Sequence, residues 1–365
     1  MTRKRAAAVL FGGRSAEHDV SIMSATNIMQ AIDRTRYDIV PIKIGRDGRW
    51  VLHRFATGLP KDSTETTGLE VALLPGGGGS LVTTSPAAPS GSLPSVDIVF
   101  PVLHGPYGED GTVQGLAETA NVAYVGCGVP ASALCMDKDL TKRLLVAAGI
   151  PMARSITARH GDAVAFDSVE RQLGMPVFVK PARQGSSFGV GKADSPETFE
   201  AALALAFQHD DKLLVEEFVP AREIECAVLE RPDGSLVVSD PGEIITDASH
   251  KFYTYEAKYL DTGGTIINTP AKVSDEVKAE CREMAAKAFR TLECAGLARV
   301  DFFLRSNGTL TLNEVNTMPG FTNMSMYPKA LEAAGTSYAE AVDTLIKTAF
   351  ARHARTARID AGHSA

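Results

Sequence analysis

The chain lacks the features that would mark it for a membrane, a nucleic acid or an oxidising compartment. No apolar stretch approaches the ~20 residues needed to cross a bilayer. The basic head and apolar run from Met1 to Phe11 imitate a secretory leader, but the run ends in Gly12-Gly13-Arg14 without a convincing cleavage site, so it reads as the first buried strand of a parallel sheet. The formal net charge is −7, which argues against the broad basic surface that nucleic acids and anionic membranes select, though not against local basic pockets. The 5 cysteines are odd in number and show no CxxC spacing, which fits reduced thiols in a cytoplasm and makes a thiolate metal site a poor expectation. Neither the GxxxxGK[ST] phosphate loop nor a full GxGxxG dinucleotide fingerprint is present.

What is present is an ordinary globular composition, 44% hydrophobic and 22% charged, on 365 residues, more than one core usually serves. The fold class expected is α/β in three domains. The first, 1–125, carries an apolar strand to Phe11, a helix over 21–32 and strands over 38–44 and 97–103. Within it, 57–94 is rich in Gly, Ser, Thr and Pro and reads as a surface insertion with room for one short hairpin. The second, 126–214, has a helix over 132–148, a strand over 177–181 and a helix over 196–208. The third, 215–351, has helices over 274–292 and 337–351. The polar tail, 352–365, is expected to fray.

The segment from Arg299 to Asn316 reads as a β-hairpin, with Asn307-Gly308 as a two-residue turn. Counting outward from that turn places Asp301 opposite Glu314 and Arg299 opposite Asn316, all on one face. Facing carboxylates repel unless a cation lies between them. A divalent metal suits this set, because Mg²⁺ takes oxygen ligands and shares one or two carboxylates with substrate phosphates. A solvated face whose acids never meet is the competing reading. The Pro- and Gly-rich stretch after Asn316 must leave the strand as a loop, and the Gly320 amide with Arg299 makes a candidate oxyanion site.

Lys180 ends a strand and is followed by a flexible loop, Gly185-Ser186-Ser187-Phe188-Gly189, that can fold its amides over phosphates, although such loops are common. The strand through Glu216 and Glu217 to Val219 reads as running into an interdomain connection whose backbone suits an adenine edge, and Glu223 follows on an apolar alternation. Acids at strand ends are often merely structural. The turn from Gly12 to His18, which carries Glu17, is a strand-to-helix turn that suits a bound carboxylate or a dinucleotide equally.

Together, His104-Gly105, the run from Gly108 to Gly115, that from Ser132 to Lys138, Lys180 with its Gly-Ser loop, Tyr255 to Tyr259, and Asn313 to Gly320 resemble the D-alanine–D-alanine ligases of the ATP-grasp superfamily. The resemblance spans nearly the whole chain. It implies an N-terminal Rossmann-like domain and ATP held between the second and third domains. Lys138, Lys180 and Lys258 would face its phosphates, Glu216 and the backbone of Glu217 and Val219 its adenine, and Glu223 its ribose. Asp301, Glu314 and Asn316 would bind two Mg²⁺ or Mn²⁺ ions. Glu17 would hold the ammonium of the first D-alanine near His104, and Ser325 and Met326 would receive the second. Glu17, Ser186 and Tyr259 would tie a loop at about 247–260 over the substrates, while Arg299 and Gly320 stabilise the oxyanion. A cytoplasmic homodimer joined through the first domain is also implied.

Three alternatives remain. A D-alanine–D-lactate or D-alanine–D-serine ligase differs at few positions, and the tyrosine at 259 favours D-alanine. A non-catalytic ATP-binding regulatory module would have lost a metal ligand or Arg299, and neither is lost. An oxidoreductase is disfavoured by the missing fingerprint.

Overall fold

The computed structural model describes residues 3–53, 68–84, 93–246 and 265–363. Lys258, Tyr259 and the expected covering loop at 247–260 lie outside them.

The N-terminal strands β1 (Arg5–Gly12), β2 (Tyr37–Ile44), β3 (Trp50–Leu52), β4 (Leu69–Leu73), β5 (Leu81–Thr83), β6 (Ile98–Pro101) and β7 (Ala123–Tyr124) form a 7-stranded sheet in the order β5-β4-β3-β2-β1-β6-β7. Its centre, β2-β1-β6-β7, is parallel, as a near-continuous apolar strand such as Ala7–Phe11 requires, because such strands are covered on both faces. Helices α1 (His18–Ala31) and α2 (Thr112–Thr119) follow turns at the carboxyl ends of β1 and β6. The hairpin expected within 57–94 is the antiparallel pair β4–β5, which extends the sheet edge with Val71, Leu73 and Leu81 buried.

The helix expected over 132–148 is two helices, α3 (Val129–Met136) and α4 (Lys138–Ala147). Asp137 breaks it: its backbone is extended, and its carboxylate caps α4 by accepting from Leu140 N at 3.1 Å. The same carboxylate takes two hydrogen bonds from the buried Lys212 ammonium, at 2.7 and 2.5 Å. A short acidic side chain that satisfies backbone donors this way competes with continuous helix. The break leaves Lys138 as the first residue of α4, directed into the cleft.

The second sheet is 4-stranded, order β10-β9-β11-β8, built from β8 (Ser155–Arg159), β9 (Val177–Pro181), β10 (Gly191–Ala193) and β11 (Lys212–Glu217). Helices α5 (Phe166–Leu173) and α6 (Pro196–Ala206) cover one face, where Val177, Val179, Leu213 and Val215 join one core with Val169, Phe199 and Ala202. Strand alternation therefore sends Lys180 and Glu216 to the other face.

The third sheet is 6-stranded and contains β12 (Ala221–Glu230), β13 (Leu236–Val238), β14 (Gly242–Thr246), β15 (Thr265–Asn268), β16 (Leu297–Arg305) and β17 (Leu310–Asn316). Helix α7 (Asp275–Thr291), capped by Ser274, buries Cys281, Ala285 and Phe289 against Ile224, Val300 and Phe302. Helix α8 (Met326–Ala333) begins within the last residues of the expected loop, and Tyr327 and Leu331 pull it into the core shared with α1 and β1. Helix α9 (Tyr338–His363) runs 26 residues, well past the expected end at 351. Within the described residues the tail expected to fray continues the helix to His363, and its first residue is tied down: Arg352 donates to Gly126 O and Tyr124 O at 2.5 and 2.8 Å and stacks over the Tyr124 ring.

The hairpin β16–β17 corrects the turn. Arg305 N donates to Thr309 O, so the loop holds Ser306, Asn307 and Gly308, and the pairs nearest it are Leu304↔Leu310, Phe303↔Thr311 and Phe302↔Leu312, one residue off the expected register. A bulge between Asp301 and Phe302 then restores the expected pairs Asp301↔Glu314 and Arg299↔Asn316. The cause is the apolar spacing. Leu310 and Leu312 alternate inward, but the next buried residue is Val315, three positions on, so one extra residue must be absorbed.

Candidate functional site

The described candidate residues all line one cavity of about 1140 Å³: Glu17, His104, Lys138, Lys180, Ser186, Glu216, Glu217, Val219, Glu223, Arg299, Asp301, Glu314, Asn316, Gly320, Ser325 and Met326. None of them falls outside it. Lys258 and Tyr259 lie outside the described residues.

The basic wall comes from the second sheet and α4. Lys180 Nζ donates to Glu216 Oε2 at 2.5 Å, and Lys142, a residue the sequence reading missed, pairs with Glu216 Oε1. Burial pushes the Glu216 carboxyl up, but Lys180 and Lys142 outweigh it and hold the group below the ordinary carboxylate range. Lys138 Nζ donates to Gln184 O at 2.6 Å and lies 4.0 Å from Glu314. One lysine thus touches both the glycine-serine loop and the acidic strand.

That loop reaches across to the first sheet. Ser186 Oγ donates to Glu17 Oε1 at 2.5 Å, with Ser186 and Ser187 both at positive φ, 49° and 60°. Gly185 is demanded by proximity, because a Cβ there would stand 2.8 Å from Glu17 Oε2. Non-glycine residues in left-handed backbone are uncommon and concentrate at functional loops.

The floor joins the first and third sheets. His104 Nδ1 bonds Met318 O at 2.9 Å and Ser24 Oγ faces its Nε2 at 3.3 Å; burial lowers its basicity despite Glu17, leaving a neutral ring at neutral pH. Glu109 clamps the same contact, accepting from Gly105 N at 2.7 Å and Met318 N at 2.9 Å. Burial, then the charge of Glu17, pushes its carboxyl up to about 8. The motif from Gly108 to Gly115 contained Glu109, but only the fold reveals what it bridges.

On the third sheet three acids stand in register across adjacent strands, Glu225 beside Asp301 and Asp301 beside Glu314. Arg299 grips Asp301 through Nε and Nη2 at 2.8 and 2.7 Å and reaches Glu225 Oε2 at 2.8 Å. Burial opposes its charge, but Asp301 and Glu225 prevail and keep it firmly cationic. Glu225 was missed, although it sits two residues after Glu223 and strand alternation puts both on the cleft face. Asn316 Nδ2 donates to Asp301 Oδ2 at 3.0 Å; turned over, the same amide presents its oxygen there.

Among the described residues no three His, Cys, Asp or Glu side chains form a metal cage by themselves. Two carboxylates and an amide, with lysines for phosphates opposite, nevertheless match a Mg²⁺ or Mn²⁺ site, because such ions take part of their oxygen shell from water and substrate phosphate. The residues fit the ion, provided an anionic substrate completes it.

At the far end Ser325 begins α8, and its Oγ lies 2.8 Å from Thr322 Oγ1 and accepts from Thr322 N at 3.1 Å. Met326 is buried against Gly242. The loop that leaves β17 after Asn316 lines the cavity from Thr317 to Gly320 and so carries the wall from the acidic strand to the start of α8. Among the described residues no helix is long and apolar enough to cross a membrane.

Residues 6–127 match the family described as D-ala D-ala ligase N-terminus, and residues 144–347 match D-ala D-ala ligase C-terminus. The chain is 57% identical over 362 residues to the D-alanine–D-alanine ligase A of Mesorhizobium japonicum, covering 97% of this chain and 99% of that one. The solved D-alanine-D-alanine ligase of Coxiella burnetii superposes with a TM-score of 0.84 at 35% identity, covering 99% of this chain and 98% of the other. A D-Ala:D-Ser ligase of Enterococcus faecalis superposes with a TM-score of 0.83 at 35% identity, over 95% of this chain and 100% of the other.

Proposed function

The chain belongs to the D-alanine–D-alanine ligase family, and from the residues gathered in its cavity we propose how it performs that family's reaction. It is an ATP-dependent ligase that joins two D-alanines, a step of peptidoglycan precursor synthesis. The observation that carries the residue assignments is the convergence of cationic, acidic and oxyanion-type groups from three sheets on one cavity.

A carboxylate is a poor electrophile, so it must first be activated. The first D-alanine sits with its ammonium at Glu17, beside the neutral His104 ring. Its carboxylate oxygen attacks the γ-phosphorus of ATP, forming an acyl phosphate and releasing ADP. Lys138 and Lys180 hold the phosphates, the backbone of Glu217 and Val219 reads the adenine with Glu216, and Glu223 takes the ribose. Lys258 is assigned the transferred phosphoryl group. Asp301, Glu314 and Asn316 would hold two Mg²⁺ or Mn²⁺ ions, whose chemistry is to neutralise phosphate charge during transfer.

The amine of the second D-alanine, its carboxylate at Ser325 and Met326, then attacks the acyl carbon. Arg299, fixed by Glu225 and Asp301, and the Gly320 amide stabilise the oxyanion before phosphate leaves. Ser186, Glu17 and Tyr259 tie the covering loop down and exclude the water that would hydrolyse the acyl phosphate. The domain divisions at 125/126 and 214/215, a homodimer joined through the first domain, and a cytoplasmic location belong to the same proposal.

The test is phosphate release from ATP and Mg²⁺ with D-alanine, with L-alanine, and with D-alanine plus D-serine or D-lactate, identifying products by mass. D-alanyl-D-alanine from the D-amino acid alone is expected. Only mixed products would reassign the acceptor, and no turnover would overturn the proposed site chemistry.

A further inference from the structure

The 5 cysteines scattered through the sequence do not stay apart in the fold. Cys226 and Cys281 are both fully buried in the core that α7 shares with the third sheet. Cys127, Cys135 and Cys294 form a second group: Cys135 Sγ and Cys294 Sγ are 3.9 Å apart, and Ala295 N, next to Cys294, donates to Cys127 Sγ at 3.4 Å. Four of these thiols are buried, whereas Cys135 is only half-buried and lines the large cavity. Small solutes that enter the cleft therefore meet one thiol, and directly behind it lies another.

The pair also bridges two parts of the molecule. Cys135 is on the last turn of α3, three residues before Lys138, while Cys294 lies in the turn between α7 and β16, the strand that carries Arg299 and Asp301. The sulfurs are in contact but not bonded, and a bond at about 2.05 Å brings them roughly 2 Å closer, taken up by side-chain rotation and by movement of α3 toward that turn. Such a movement pulls directly on the segment that places Lys138.

We propose that Cys135 is a cleft-facing oxidation site for peroxide-class oxidants, and that Cys294 resolves it into an intramolecular Cys135–Cys294 disulfide that arrests turnover. The Cys135 sulfur attacks one peroxide oxygen; an S–O bond forms as the O–O bond breaks, and the departing hydroxide leaves with the thiol proton as water. The Cys294 sulfur then attacks the Cys135 sulfenic acid; an S–S bond forms as the S–O bond breaks, and a second water carries off the Cys294 proton. Two thiols lose two electrons and the peroxide gains them. A thiol reductant reverses the change. Cys127 draws the Cys294 thiol down, but the contact with Cys135 and burial outweigh this and hold it well above its ordinary range.

Full-length enzyme is treated with hydrogen peroxide, quenched with an alkylating agent, and mapped by peptide mass, with ligation assayed in parallel. The expected product is a linked peptide pair containing Cys135 and Cys294, lighter by two hydrogens and separated by dithiothreitol, which also restores turnover. Cys294→Ala should instead leave Cys135 as a sulfenic acid trapped by dimedone. A Cys135 that stays alkylatable after peroxide, or a Cys127–Cys294 bond in its place, overturns the site. A cross-link that leaves turnover unchanged overturns the arrest. The arrest rests on the ligase reading and the cross-link does not, so an enzyme inactive before oxidation but still forming the bond would sink that reading alone.

Discussion

Ser186 and Glu17, 169 positions apart in the chain, meet at 2.5 Å, and this single hydrogen bond joins the glycine-serine loop of the second sheet to the first turn of the first. Hydrogen bonds to charged groups contribute about 1.5–3 kcal/mol. Ser186→Ala is expected to lower kcat/KM roughly 10- to 100-fold while leaving the melting temperature near wild type, because the loop carries little of the core. Steady-state kinetics beside thermal denaturation decides it; unchanged kinetics would show that the loop is placed by other contacts.

The acids on the hairpin should behave as metal ligands rather than as structural groups. Glu314→Gln keeps shape and removes charge at a side chain 30% exposed. Turnover should fall roughly 10²–10³-fold, as for loss of one element of transition-state electrostatics, with a raised requirement for Mg²⁺ and an unaltered fold by circular dichroism. Wild-type turnover at ordinary Mg²⁺ would remove Glu314 from the metal site.

Lys142 supports Glu216 from beneath the cleft. Removing one partner of a buried ion pair costs about 3–5 kcal/mol, and Lys180 remains, so Lys142→Met should lie at the low end. The carboxyl of Glu216 is held below its unfolded value, so its contribution to stability is present above the unfolded pKa and is lost as pH falls through the folded one. The wild-type advantage over Lys142→Met should therefore be largest near neutrality and shrink below about pH 4. Urea titrations across that range test the sign.

Glu109 should act in the opposite sense. With its carboxyl raised from 4.5 to about 8, the folded protein holds a proton that the unfolded chain releases, so this group's contribution is complete at low pH and declines as pH rises toward 8. Glu109→Gln should flatten that decline in metal-free enzyme, at a cost of about 1–3 kcal/mol from placing an amide donor against a backbone N–H. Parallel slopes for wild type and variant would show that Glu109 is ionised.

The carboxyl-terminal turns of α9 should be structural. Arg352→Ala leaves Gly126 O and Tyr124 O without their donor and should cost about 1–3 kcal/mol in thermal or urea unfolding, with little effect on KM. A variant as stable as wild type would make this end of the helix dispensable.

Part of the site was legible from local pattern: Lys180 ends a clear strand before a glycine-serine loop. Glu17, Lys138, Glu216, Ser325 and Met326 entered through the family resemblance, while the pairing of Asp301 with Glu314 follows from counting. That count reached the right pairs through a wrong turn: a three-residue loop and a bulge offset one another, and the only trace in the sequence was the irregular spacing of Leu310, Leu312 and Val315. Lys142 and Glu109 were not legible, since each acts through a partner distant in sequence, Glu216 and Met318 respectively. The helix break at Asp137 was hidden likewise, because the reason for it is Lys212. The length of α9 was missed for a different reason: Arg352 is polar but spends its charge on carbonyls of another element.

The bulge has a practical corollary. Because Leu310 and Leu312 seat the lower half of the hairpin and Val315 the upper, the phase of the acidic pair is fixed downstream of the tip. Asn307 and Gly308 are exposed and do not line the cavity. A peptide epitope or fluorophore spliced there would report on the enzyme without travelling with its chemistry.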